Sequence, residues 1–253
     1  MVKINNTNPF NAPVYHKETV TSTMDISRDL AACGEAHGTV ITADFQNSGR
    51  GRIKGRSWQM ESKTNLPFTI LLRFPSINNI PKALTLRTGL AVSFAIEDFT
   101  PSLKDKVQIK WPNDIMINGK KAAGILCEAD DRVVRIGIGV NVAQKEFPSE
   151  LREKAISVSL AAGTDIAPED RYKLLEKILA NLYSELETGT DWKTRIEKRL
   201  YKKGEQVLFI EGAAGSGKEV KGTLTGINKD GELLIQSNKE KKLHTLITGE
   251  LIL

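Results

Sequence analysis

The chain changes texture near Gly204. Ahead of it, stretches such as "PKALTLRTGLAVSFAIEDF" and "PEDRYKLLEKILANLYSELETG" place apolar residues at helical spacing, interleaved with strand-like runs. Behind it, "EQVLFIEG", "KEVKGTLTGI", "GELLIQS" and "KLHTLITGELIL" are short strand-like runs parted by Gly, Asn and Asp. The two textures predict two layers of different make: a mixed-sheet α+β body over residues 1–204 and a small β-barrel over 205–253. A chain of 253 residues buries a real core without disulfides. Its two cysteines, Cys33 and Cys127, lack C-x-x-C spacing and suit reduced thiols, so a cytoplasmic protein is expected. The opening "MVKINNTNPFNAPVY" has no apolar run and reads as no signal peptide. No stretch approaches the roughly 20 apolar residues of a membrane helix, so no membrane partner is expected.

Local signals place the elements. Ser22 reads as the N-cap of a helix over "STMDISRDLAACGEA", and "GTVITADFQ" reads as a strand. "NSGRGRIKGRSW" reads as a loop, and "LPFTILLRF" as a buried strand. Pro81 marks a helix start, and "VQIKW" is a strand closed by Pro112. Asn118-Gly119 between apolar runs predicts a type I′ hairpin. "RVVRIGIGVNV" follows as a strand, then the amphipathic helix ended by Gly189, then a shorter helix over "DWKTRIEKRL".

"GAAGSGK", Gly212 to Lys218, satisfies G-x-x-x-x-G-K, yet a phosphate loop joins a strand to a helix and follows its Lys with Ser or Thr. Here Glu219 follows, and then β-branched residues and glycines that suit a strand, so the segment reads as a hairpin loop. The stronger anion binder is "GRGRIKGRSW", Gly49 to Trp58. Its glycines let N–H groups turn to an anion, and Arg50, Arg52, Lys54 and Arg56 supply charge. Trp58 offers a stacking face. A solvated basic turn or a nucleic-acid contact would carry the same residues. "KWPNDIMINGKKAAGILCE" sets Lys110, Asn113, Asp114 and Lys121 among apolar strands, where charge is costly unless paired or liganded. Asn113 and Asp114 are oxygen donors suited to a ribose or to Mg²⁺. Gly137 and Gly139 of "GIGVNV" share one strand face, where a flat ligand could lie on bare backbone or the strand could kink. The net charge of +5 favours an anionic partner without choosing one. The three histidines are scattered and predict no zinc site.

"STM", "QNSGRGRIKGRSW", "KWPNDIMINGKKAAGILCE" and "GIGVNV", in this order and spacing, resemble the motifs of biotin protein ligases, from about Val14 onward. The match is to the catalytic part of the bacterial biotin repressor-ligase, whose α/β catalytic domain precedes a small SH3-like barrel. The resemblance implies formation of biotinyl-5′-AMP from biotin and Mg-ATP, then transfer to a lysine of a biotin carboxyl carrier protein. It assigns biotin contacts to Ser22, Thr23, Met24, Gln46, Arg50, Gly51, Arg52, Lys121, Gly124, Gly137 and Gly139. ATP contacts fall to Arg52, Trp58, Lys110, Asn113, Asp114 and Asn141, with Asp114 holding Mg²⁺. Arg52, Lys110 and Lys121 are the expected catalytic cations. Met24 stands where the family often has Asn, and the loop carries one more residue between Arg52 and Gly55 than the common form, which opens the partners of Lys54, Arg56 and Trp58. With only a short polar segment before Tyr15, no sequence-specific DNA binding is expected. A lipoate or octanoate transferase of the same fold is the alternative, and lacks this loop with its Trp. A nucleic-acid binder is disfavoured, since aromatic residues are 6% and do not interleave with basic ones. A sheet edge near the Gly137 strand leaves a monomer or homodimer open.

Overall fold

The computed structural model describes residues 1–53, 55–212, 217–239 and 241–252. In chain order the body holds β1 (Val2–Lys3), β2 (Val14–Val20), α1 (Thr23–Ala32), β3 (Val40–Gln46), β4 (Asn65–Arg73) and α2 (Leu84–Phe99). It continues with β5 (Val107–Lys110), β6 (Asp114–Ile117), β7 (Lys120–Asp130), β8 (Val133–Asn141), α3 (Val158–Ala162), α4 (Arg171–Thr188) and α5 (Trp192–Arg199). The later strands are β9 (Gln206–Glu211), β10 (Lys218–Ile227), β11 (Leu233–Ser237), β12 (Leu243–Leu246) and β13 (Gly249–Ile252).

The body's sheet runs β1-β2-β3-β4-β8-β7-β6-β5. Only β2 and β3 pair in parallel, because α1 carries the chain across between them. The other neighbours are antiparallel, among them the long β4–β8 and β7–β8 ladders. α2 packs against both the sheet and α4, which is why its buried residues outnumber a single stripe. Buried ion pairs tie the helices: Arg87 to Glu185 at 2.8 Å and Arg199 to Glu97 at 2.5 Å. The second sheet, β12-β11-β10-β9-β13, is antiparallel throughout. The fold is thus mixed α+β with a small terminal β unit. Among the described residues no helix is long and apolar enough to cross a membrane.

Several local expectations meet the structure directly. Ser22 caps α1, its Oγ accepting from the Met24 N–H. Asn118 and Gly119 have φ of 52° and 75°, the signs a type I′ turn requires. β9 and β10 pair with Glu211 opposite Lys218, so strands flank the "GAAGSGK" segment on both sides. Its interior, 213–216, lies outside the described residues, as does Lys54 of the basic loop.

Three readings need correction. α2 begins at Leu84, not at Pro81, and its N-cap Ala83 is left-handed with φ 53°. A distant segment packs close to this turn: a Cβ added to Gly231, in the β10–β11 turn, would lie 2.5 Å from the Ala83 Cβ, so only glycine there leaves room for Ala83. The Gly137 strand is no edge, since β8 lies between β4 and β7. β2 and α3 were not legible, because "VYHKETV" buries only its two ends and α3 is barely a turn.

The β unit shares the body's core. Trp111 packs on Phe209 with ring centroids 5.7 Å apart, and its indole N–H donates to the Gly231 carbonyl at 3.0 Å. Glu197 of α5 accepts from the Ile227 N–H at 3.2 Å. These contacts seat β13 beside the basic loop.

Candidate active site

A single cavity runs across the face of β8 and β7, bounded by α1, the basic loop and β13. It gathers Ser22, Thr23, Met24, Gln46, Arg50, Gly51, Arg52, Trp58, Lys110, Asn113, Asp114, Lys121, Gly124, Gly137 and Gly139, the residues singled out in the sequence. Asn141 is the exception. It is 4% exposed, absent from the lining, and donates to the backbone carbonyls of Ile156 at 3.2 Å and Lys121 at 3.5 Å. Its position braces Lys121 rather than facing a ligand.

One end of the cavity is neutral and polar. The helix cap leaves Ser22 Oγ accepting from the Met24 N–H at 3.3 Å. The Gln46 Oε1 accepts from both the backbone N–H and the hydroxyl of Thr23, at 2.8 and 3.1 Å. The middle is a floor of backbone, but much of the space above it is filled by protein. A Cβ on Gly137 would lie 2.8 Å from the Met24 Sδ. One on Gly139 would lie 2.7 Å from the Trp58 ring, and one on Gly124 3.2 Å from both that ring and Lys121. These glycines admit Met24 and Trp58 to the strand face, and Lys121 rides over the indole with its Nζ 5.7 Å from the ring centroid.

The other end is cationic. Lys110 is 9% exposed, and among the described residues its amine has no hydrogen bond or ion pair. Burial lowers its pKa from the ordinary lysine value, partly offset by the charges of Asp114 and Glu250. Lys121 pairs with Asp114 at 2.6 Å. Asn113 donates its Nδ2 to the Ile125 carbonyl at 2.9 Å, which pins the turn between β5 and β6 against β7 and leaves its oxygen for a ligand. Arg50 is turned to Asp25 at 2.7 Å.

The loop closes on itself and on β13. The Trp58 backbone N–H donates to the Gly49 carbonyl, and that of Gly51 to the Arg56 carbonyl, both at 2.9 Å. Arg52 donates to the Gly249 carbonyl at 2.7 Å. Arg56 grips Glu250 through two bonds of 2.6 and 2.9 Å. That fork is the main cause holding the Glu250 carboxyl below its ordinary value. A lowered value means the clasp is complete above the usual carboxylate range and is lost as pH falls through the depressed value. Glu250→Gln is therefore expected to raise hydrogen exchange at the Gly51 and Trp58 amides severalfold at neutral pH. Acidifying the parent protein should reproduce the effect once intrinsic exchange is corrected. Unchanged protection in the variant would remove the clasp from the account of loop order. Glu250, Leu251 and the Gly249 carbonyl are the site groups that sequence reading missed; they lie in a strand whose local pattern signals only a barrel.

Among the described residues no group of three or more His, Cys, Asp or Glu could hold a metal ion. The carboxylates in the cavity lining are Asp114, paired with Lys121, and Glu250, gripped by Arg56, too few for a cage but of the number that a phosphate-borne Mg²⁺ would need. They do not fit a resident ion. Cys127 is half-buried, and desolvation pushes its thiol up to about 11, which disfavours the reactive thiolate.

The geometry can be set beside known proteins. The sequence profile of the Biotin/lipoate A/B protein ligase family matches residues 17–142. The biotin--[acetyl-CoA-carboxylase] ligase of Paracoccus denitrificans is 30% identical over 210 residues, covering 78% of this chain and 83% of that protein. The chain belongs to the biotin/lipoate A/B protein ligase family. Another member, the bifunctional ligase/repressor BirA of Bacillus subtilis (strain 168), is 41% identical over 175 residues, 66% of this chain and 51% of BirA. The chain thus spans about half the length of the curated relatives at that level of identity. Among solved members, the biotin protein ligase from Aquifex aeolicus in complex with biotin and ATP superposes with a TM-score of 0.76 at 29% identity, over 98% of both chains. The family's fold therefore extends through the terminal β unit, and the cavity lies within the matched region except for the residues of β13.

Proposed function

We propose that this chain is an ATP-dependent biotin protein ligase, which forms biotinyl-5′-AMP and passes the biotinyl group to a lysine of a biotin carboxyl carrier protein. One observation carries the reading: a cavity with donors at one end and a buried, unpaired Lys110 at the other. A buried amine that no carboxylate contacts directly, with Asp114 and Glu250 acting on it only from a distance, calls for an anionic ligand. A cavity that is neutral and polar at one end and cationic at the other suits a ligand with a neutral polar head and an acidic tail. The relatives named for biotin, and the Aquifex enzyme solved with biotin and ATP, support that choice.

The chemistry follows from the residues. The biotin carboxylate attacks the α-phosphorus of ATP, forming a C–O–P bond as pyrophosphate leaves. Two anions must approach, so Lys110, Lys121 and Arg52 offset their repulsion and the charge that gathers on the phosphorus oxygens. Lys121 gives up Asp114 to do so. Asp114 would then hold a Mg²⁺ carried in on ATP, an ion that would supply positive charge against the phosphates. Trp58 walls off the activated carbonyl, and the loop clasped to β13 keeps water from the anhydride. The carrier's amine then attacks that carbonyl, the C–O bond breaks, and AMP departs.

ATP–pyrophosphate exchange with biotin, with lipoate or with no acid tests the reading. Exchange that requires biotin is the expected result. Exchange with lipoate instead would move the chain to the lipoate branch of its family, and exchange with neither would refute adenylation.

A further inference from the structure

The geometry points to Thr69, on β4, as a positioning residue that holds the Thr23 hydroxyl on Gln46 and so fixes the aim of the Gln46 amide at the ring-binding end; the inference rests on the biotin reading and deepens it. The argument starts from an obligatory donor. The Thr23 backbone N–H faces one atom of the Gln46 amide at 2.8 Å, so that atom is the oxygen. The Gln46 nitrogen is thereby turned the other way, toward the base of the basic loop, 3.2 Å from where a Cβ on Gly49 would lie. The Thr23 hydroxyl also reaches Gln46 Oε1, at 3.1 Å, and an oxygen there can only accept, so the Thr23 proton is spent on it. Thr23 Oγ1 is left as an acceptor, and it receives the Thr69 hydroxyl at 2.8 Å.

Each hydroxyl has one proton, so the relay has one direction: Thr69 to Thr23 to Gln46. Thr69 is 0% exposed and Thr23 3% exposed, so neither can turn to bulk water for an alternative. Thr69 lines no part of the cavity. It stands beside the floor on the same sheet face, opposite Gly137 in the β4–β8 ladder and covered by α1. Its effect on a ligand passes wholly through the other two.

The outcome is an end that shows donors. Gln46 presents its NH₂, and Ser22, whose oxygen already accepts from the Met24 N–H, has its proton to give. Such an end selects a ring bearing a carbonyl oxygen over a ring without one, because each unanswered donor would be buried unpaired. Without Thr69, the Thr23 hydroxyl can swing its proton away, and Gln46 is held by the Thr23 backbone N–H alone. Its amide then rocks about that one bond, its NH₂ is aimed less sharply, and part of the selectivity is lost.

Thr69→Val keeps the shape and β propensity of the side chain and removes only the donor. Loss of one buried hydrogen bond predicts a biotin KM about five- to tenfold higher in pyrophosphate exchange, with kcat within about twofold and the ATP KM unchanged. Thr69→Ser is expected to restore the parent KM. A second readout needs no biotin: the Gln46 side-chain amide resonances, assigned by loss in Gln46→Glu, should shift or double in Thr69→Val and return in Thr69→Ser. A lower melting temperature with an unmoved biotin KM would reduce Thr69 to a structural residue and overturn the proposal, as would unmoved Gln46 resonances. A parent protein that neither binds nor activates biotin would sink the ligase reading, and the Gln46 resonances would still decide the relay.

Discussion

Lys110→Met is expected to lower biotin-dependent ATP–pyrophosphate exchange by about 10²- to 10³-fold, the usual cost of removing one preorganised charge or donor at a reacting centre. The same change should leave the protein as stable as before, or more stable. A buried amine with no partner costs solvation energy in the free protein, and Met fills nearly the same space without it. Lower activity with equal or higher melting temperature is a signature that damage to packing cannot produce. The pH profile gives a third readout. Burial lowers the Lys110 pKa in the free protein, whereas a bound phosphate favours the charged amine. Below the lowered value the amine is already charged and ATP affinity is level with respect to this group. Above it a proton must be taken up on binding, so the ATP KM rises with pH, beginning below the range where an ordinary lysine titrates. Lys110→Met should abolish that rise. A variant that keeps most of the exchange would show that another cation carries the phosphate.

Gly139→Ala is expected to raise the KM values for biotin and ATP and lower kcat/KM by about 10²-fold, the scale set by a displacement near 1 Å in a reacting site. The backbone at Gly139 lies within a regular strand, so the methyl itself meets no conformational obstacle. It meets the Trp58 indole, at 2.7 to 3.1 Å from three ring atoms. The ring must lift from the floor, and Lys121, stacked over it, must move as well. Near-ultraviolet circular dichroism and Trp58 fluorescence should change while far-ultraviolet signals stay fixed. Parent-like kinetics with a displaced indole would show that Trp58 does not shape the ligand site.

The parts of this molecule that were legible in the sequence rest on neighbours in the chain. Ser22 announces α1 because its oxygen reaches an N–H two residues on, and Asn118-Gly119 announces its hairpin because both residues accept positive φ. The polar residues of "KWPND" and "NGKKAAG" could be picked out because charge among apolar strands demands a reason. What escaped depends on chain segments far apart. Nothing near Pro81 tells that Ala83 turns left-handed and delays α2 to Leu84, or that the distant Gly231 packs against that turn. Nothing in "GIGVNV" distinguishes a floor for ligand from a seat for Met24 and Trp58. Asn141 has the composition of a ligand contact, yet the pairing of the segment around Ala155 with Lys121 turns its amide to the backbone. Thr69 looks like any strand threonine until α1 is folded over it.

The clasp between the basic loop and β13 has a bearing on how the protein comes into being. Arg52 and the Gly249 carbonyl are 197 residues apart in the chain. During synthesis the glycine floor, the helix cap and the buried Lys110 can all form long before residues 249–251 leave the ribosome. Long-range closures of this kind come late and slowly. A nascent chain therefore passes through a stage in which the ring end of the cavity is built and the anhydride has no shelter. On the proposed ligase reading, an intermediate that binds biotin but holds no adenylate is the natural consequence, and β13 is the strand whose arrival completes the site.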